Sequence, residues 1–140
     1  MKKTLVAALL ALLSLTFVEA KQHKAEDPVL QFNENGKFKI VQFTDTHLGY
    51  NNRPVYDKSV EMITSIVKTE KPDLVIFTGD IVTGAPMKQG LDNLFAPLDE
   101  MGVPFMLLLG NHDREDELPA WEIAKITISH KSSINTMSQD

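Results

Sequence analysis

Three short tracts carry the residues that could do chemistry: Thr44-Asp45-Thr46-His47, Thr78-Gly79-Asp80 and Gly110-Asn111-His112-Asp113. Together they offer carboxylate, amide-oxygen and imidazole donors, which suit zinc, iron or manganese better than soft copper. Asp45 and His47 are separated by one residue, so a loop leaving a strand can aim both at one ion. Gly79 permits close backbone approach and frees the Asp80 carboxylate to bridge a second ion. Two ions about 3.5–4 Å apart can clamp the attacking and leaving oxygens of an in-line displacement, and bound water loses its proton near neutral pH. A protein nucleophile is then unnecessary. The sequence has no Cys and no Gly-x-Ser-x-Gly tract. Each tract alone is a weak signal, because Gly-Asp is a common turn dipeptide and Asp-x-His arises by chance. Gly-Asn-His-Asp is the sharpest of the three. The bland alternative for all of them is a set of turn residues, and it has to explain why each follows an apolar run.

Those runs are the elements that must position the tracts. Phe38 to Phe43 is rich in β-formers, Leu74 to Phe77 is continuously apolar, and Val103 to Leu109 is a third run with Pro104 near its start. Continuous apolar strands are expected where a sheet is covered on both faces. Between them lie helical patterns. Tyr56, Val60, Ile63 and Val67 share one face, and Lys71-Pro72 ends that helix. Leu91, Leu94, Phe95, Leu98 and Met101 define a second, with Gly102 at its C-terminal cap and Pro97 expected to kink or divide it. A third is expected from near Pro119 to about His130, with Trp121 read as packing rather than substrate stacking. Strands alternating with helices imply an α/β fold with parallel strands, βαβαβα. Ligands in such sheets bind beyond the carboxyl ends of the strands, where all three tracts fall.

Composition sets the outer bounds. The chain has 140 residues, 43% hydrophobic and 24% charged, with a formal net charge of −5. That is an ordinary globular composition with room for one domain. The acidic balance argues against a surface that coats nucleic acid, which needs clustered Lys and Arg. Residues 1–20 read as a signal peptide: Lys2-Lys3, an apolar run from Leu5 to Val18, and Val18-Glu19-Ala20 as the cleavage pattern. Cleavage after Ala20 implies a secreted or periplasmic protein with no stable membrane anchor. The alternatives are an uncleaved anchor or a buried helix. The absence of Cys excludes a lipid-modified N-terminus. Residues 21–37 form a polar lead-in, with a short strand expected at Val29 to Phe32, a turn at Asn35-Gly36 and a solvated His23.

The tracts TDTH at 44–47, TGD at 78–80 and GNHD at 110–113 resemble the first three signature blocks of the calcineurin-like metallophosphoesterases. GNHDRE, a following helix and NTMSQ at 135–139 are similar to the small purple-acid-phosphatase-like branch. The resemblance spans residues 38–140. It implies a four-layer α/β/β/α sandwich of which this chain supplies the N-terminal part. It further implies two divalent or mixed-valence ions (iron, zinc or manganese) and a phosphorylated substrate hydrolysed by metal-bound hydroxide. By the same resemblance, Asp45 and His47 bind the first ion, Asp80 bridges both, and Asn111 binds the second. His112 contacts the phosphate and protonates the leaving oxygen, and Asp113 orients His112.

Two departures from the family pattern shape the expectation. The purple members carry a tyrosine ligand three residues after the bridging Asp, where this chain has Thr83, so no tyrosinate-to-iron colour is expected. The later family blocks supply three more imidazoles, whereas the His residues here are 23, 47, 112 and 130, and His130 matches neither later block. The expected reading is an N-terminal portion of a metallophosphoesterase, cut short, whose single sheet has one bare face. Two alternatives stay open: a non-catalytic metal- or phosphate-binding module, and complementation by another chain. Arg53 and Arg114 could pair with a phosphate or be solvated surface charges. The substrate is unspecified, because selectivity would come from loops.

Overall fold

The computed structural model describes residues 30–115 and 117–137. The proposed signal peptide and His23 lie outside these residues. The described chain forms β1 (Ile40–Phe43), β2 (Leu48–Gly49), α1 (Arg53–Glu70), β3 (Leu74–Thr78), β4 (Val82–Thr83), α2 (Met87–Met101), β5 (Phe105–Leu108), a 3-10 turn (His112–Arg114) and α3 (Ala120–Ser129). β1, β3 and β5 make a parallel sheet in that order, with Phe43 beside Phe77 and Thr78 beside Leu108. The three apolar runs are therefore adjacent strands, and their carboxyl ends share one edge.

One sheet face carries the core. Phe77, Val75, Phe105 and Leu107 are buried against Tyr56, Ile63 and Val67 of α1 and Leu91, Leu94, Phe95 and Leu98 of α2. Phe95 stacks on Phe105 at 4.5 Å between centroids, and Phe77 meets Phe95 edge-on at 5.6 Å. Ile123 and Ile126 of α3 close the same cluster. On the opposite face, the register places Ile40 and Leu108 on one side of the sheet, and they are 51% and 49% exposed. The only polar pair there is Gln42, whose amide donates to the Thr78 hydroxyl at 2.9 Å among the described residues of that face. That face is only partly open among the described residues: Leu74 on it is buried, and Ile76 and Met106 are half-buried.

Both edges of the helix pattern follow local chemistry. Lys71 takes a left-handed conformation (φ 46°) and its N–H returns to the Val67 carbonyl, ending α1 before Pro72. Gly102 caps α2 in the same way at φ 65°. Pro97 does not divide α2 into two helices or end it; residues 87–101 form one helix. The missing N–H would have met the carbonyl of Asn93, an exposed residue.

Two other expectations are corrected. Trp121 is not packing: it is 55% exposed with the Lys125 ammonium 4.6 Å from its ring centre, and Ile123 and Ile126 take the inward face of α3. Leu30 to Phe32 form no strand, although the turn after them exists, closed by the Gly36 N–H donating to the Asn33 carbonyl at 2.8 Å. Residues 132–135, past α3, line the free edge of β5. The Phe105 N–H donates to the Ser132 carbonyl, and the Asn135 side-chain amide pairs with both the N–H and the carbonyl of Leu107 at 2.9 Å.

Candidate metal centre

The loops after β1 and β3 run side by side from the large sheet into the small one. The Asp45 N–H donates to the Gly79 carbonyl (3.0 Å), His47 to Asp80 (2.9 Å) and Leu48 to Ile81 (2.8 Å). β2 and β4 then pair in parallel, Leu48 with Val82 and Gly49 with Thr83. This second ladder was not legible in the sequence, because two-residue strands show no periodicity. It fixes the two loops against each other, and in doing so aims their side chains.

Asp45, His47 and Asp80 all have left-handed backbones, with φ of 52°, 43° and 54°. Such a conformation costs a non-glycine residue about 1–3 kcal/mol and persists only where the surroundings enforce it. Here the enforced result is convergence: one donor atom from each of the three side chains lies within 4.8 Å of the other two. Oxygen and nitrogen ligands sit about 2.0–2.2 Å from a tetrahedral zinc, which puts two of its donors about 3.3–3.6 Å apart. The three side chains would have to close toward that spacing to share one ion. Asp45 and His47 are exposed, whereas Asp80 is 7% exposed, so a buried carboxylate backs two accessible donors. The Thr44 hydroxyl donates to the Asp45 carboxylate.

The third tract closes over Asp80. The His112 N–H donates to Asp80 Oδ1 at 2.8 Å. Gly110 lies so close to Asp80 that a Cβ there would strike its carboxylate, and a Cβ on Gly79 (φ 97°) would come within 2.7 Å of the Gly110 backbone. Asn111 is exposed, immediately before the 3-10 turn, and makes no side-chain cap bond. It shares the rim with the triad but is not joined to it by a described hydrogen bond. The His112 ring stands edge-on to the His47 ring, 5.4 Å between centroids.

The expected partner of His112 is corrected. Asp113 does not orient the imidazole. Its carboxylate is buried (4% exposed) and accepts three backbone N–H groups, from Asp80 at 2.7 Å, Gly110 at 2.8 Å and Ile81 at 2.9 Å. Those bonds tie the loop after β3 to the loop after β5. His112 Nδ1 instead lies 2.6 Å from the Glu115 carboxylate, and that hydrogen bond, with the accompanying charge, raises the His112 pKa above its usual value. Glu115 was missed in the sequence; its spacing of three residues from His112 on a turn was the available signal.

The remaining candidates have other surroundings. The Arg53 guanidinium pairs with Asp57 at 2.6 Å and lies 4.4 Å from the Tyr50 ring centre, a helix-surface role. Arg114 is exposed within the 3-10 turn. His130 is held at the edge of the core, its Nδ1 2.7 Å from Asp99 and its ring 5.3 Å from that of Phe95. Thr83, at the purple tyrosine position, belongs to β4, where its carbonyl accepts the Tyr50 N–H.

Comparison with known proteins gives a consistent result. The calcineurin-like phosphoesterase family matches residues 38–136. A probable inactive purple acid phosphatase 14 of Arabidopsis thaliana is 29% identical over 126 residues, covering 78% of this chain and 31% of that protein. Phosphatase DCR2 of Saccharomyces cerevisiae is 31% identical over 132 residues, covering 83% and 23%. The uncharacterized metallophosphoesterase YkuE of Bacillus subtilis is 32% identical over 98 residues, covering 69% and 33%. The chain thus spans between 23% and 33% of the length of these curated relatives. The family binds divalent metals, and this chain places a possible metal-binding triad where its first two signature tracts meet. With 38–136 matched, the chain belongs to the calcineurin-like phosphoesterase family.

Proposed function

We propose that this chain carries the N-terminal metal-binding rim of a metal-dependent phosphoester hydrolase, acting as a phosphatase or phosphodiesterase. The observation that carries this reading is the convergence of Asp45, His47 and Asp80 within 4.8 Å, beside the exposed ring of His112. Asp45 and His47 would hold a first ion, Asp80 would reach both ions, and Asn111 would serve the second, with iron, zinc or manganese compatible with these donors. Bound ions would supply Lewis acidity toward a phosphoryl oxygen and an activated water. The protein's own part is positional. His112 presents its ring to the rim, where it can hydrogen-bond a phosphoryl oxygen and pass a proton to the leaving oxygen. Asp113 holds the backbone beneath Asp80 rather than acting on substrate.

The test is turnover of p-nitrophenyl phosphate by the purified chain with Mn2+ or Zn2+. Asp80→Asn should abolish any turnover and weaken metal binding in calorimetry. A wild-type chain that binds neither ion would sink the reading. A second reading, a non-catalytic metal- or phosphate-binding module, is favoured by the presence of relatives named as probably inactive and by a site holding only two of the four His residues. Metal binding with no turnover supports it. Export through the N-terminal segment, with cleavage after Ala20, rests on the sequence pattern of residues 1–20 and is tested by N-terminal sequencing of secreted protein.

A further inference from the structure

The backbone of Ile81 joins all three tracts. Its N–H donates to Asp113 Oδ1 at 2.9 Å. Its carbonyl accepts the Leu48 N–H at 2.8 Å and the Thr46 hydroxyl at 3.0 Å. Ile81 is fully buried, so this junction is rooted in the core. Thr46 is the residue between Asp45 and His47. Both neighbours hold left-handed backbones, and their N–H groups donate to the carbonyls of Gly79 and Asp80. Strained conformations of this kind persist only where several bonds enforce them. The backbone bonds of the loop are open to any residue type other than proline. The bond from Thr46 is not, because it needs a side-chain hydroxyl, and it acts at the one position flanked by both strained residues.

We propose that Thr46 is a positioning residue: its hydroxyl latches the loop after β1 to Ile81 and keeps Asp45 and His47 turned toward Asp80. The inference rests on the hydrolase reading above for the ion, and on the loop geometry alone for the latch. The Ile81 carbonyl keeps the Leu48 N–H when the hydroxyl is removed, so no buried acceptor is left unpaired. The effect of losing the latch therefore falls on the two side chains it aims rather than on the fold.

The first measurement is Zn2+ affinity of the full chain by calorimetry. Thr46→Val keeps the β-branched shape and removes only the hydroxyl. It should bind Zn2+ about tenfold more weakly, the low end for groups that orient a metal ligand from behind. Thr46→Ser, which retains the hydroxyl, should restore the affinity. Thr127→Val is the matched control, since it removes a hydroxyl bonded to the Ile123 carbonyl at 2.9 Å within α3. It should leave Zn2+ affinity unchanged. Wild-type affinity in Thr46→Val, or an equal loss in Thr127→Val, overturns the proposal.

A second arm follows amide hydrogen exchange in the metal-free protein. Thr46→Val should speed exchange at Asp45 and His47 while Val75 and Phe77 of β3 stay as protected as in the wild type, and Thr46→Ser should reverse the change. Exchange at Asp45 and His47 that does not respond to Thr46→Val overturns the latch. A wild-type chain that binds no Zn2+ defeats the hydrolase reading instead, and the exchange arm then decides the latch by itself.

Discussion

Asp80 and Asp113 are both buried carboxylates, yet they do opposite work. Asp80 turns one oxygen toward the His112 N–H and remains within reach of Asp45 and His47. Asp113 turns both oxygens toward the backbone. Replacing Asp113 by Ala strands two buried N–H donors, those of Asp80 and Ile81, and the part-buried one of Gly110. A buried unsatisfied donor costs about 1–3 kcal/mol. Urea unfolding of Asp113→Ala should show a loss of at least about 2 kcal/mol with the slope unchanged. The metal ligands differ in number between the two proposed sites: three side chains for the first, Asp80 and Asn111 for the second. Calorimetry with Zn2+ should therefore resolve one tighter equivalent and one weaker. The donor types of Asp45, His47 and Asp80 made them legible in sequence. The work of Asp113 and Glu115 was not, because neighbouring carboxylates on a tight turn point in different directions and only the folded backbone decides which faces the ring.

At the scale of elements, the rim depends on two glycines that touch. Gly79 and Gly110 bring the ends of β3 and β5 together, with no space for a Cβ on either. Gly110→Ala would drive a methyl group into the Asp80 carboxylate. It should lower Zn2+ affinity more than tenfold while circular dichroism retains the helical signal; retained affinity would show that the loop can yield. The three long strands were readable as apolar runs rich in β-formers, and the first two helices because their apolar residues repeat with the helical period. The β2 and β4 pair was not, being too short for any period. Pro97 misled for a related reason: its cost depends on whether the orphaned carbonyl faces core or water, which a linear pattern does not contain.

The whole molecule is two-sided. Helices and aromatic rings cover one sheet face, while Ile40 and Leu108 stand open on the other. Within the covered side, Tyr56 is buried with its hydroxyl donating to the Gly90 carbonyl. Burial, followed by the neighbouring Tyr50, pushes its phenol well above the usual tyrosine range. A folded-state pKa raised in this way leaves stability intact below the unfolded tyrosine value of about 10 and removes it as the pH climbs beyond that value. Chemical denaturation should show a fall in stability above about pH 10 that is reduced in Tyr56→Phe.

The clamp at Asp113 also orders events in time. A nascent chain leaving the ribosome presents Asp45, His47 and Asp80 first, and Asp113 follows 33 residues behind Asp80. Until then the Asp80 and Ile81 amides lack their acceptor, and the left-handed loop conformations lack one of the bonds that enforce them. The rim is therefore finished from behind: Asp45, His47 and Asp80 are translated early, and their final geometry waits for a residue whose carboxylate faces only the backbone.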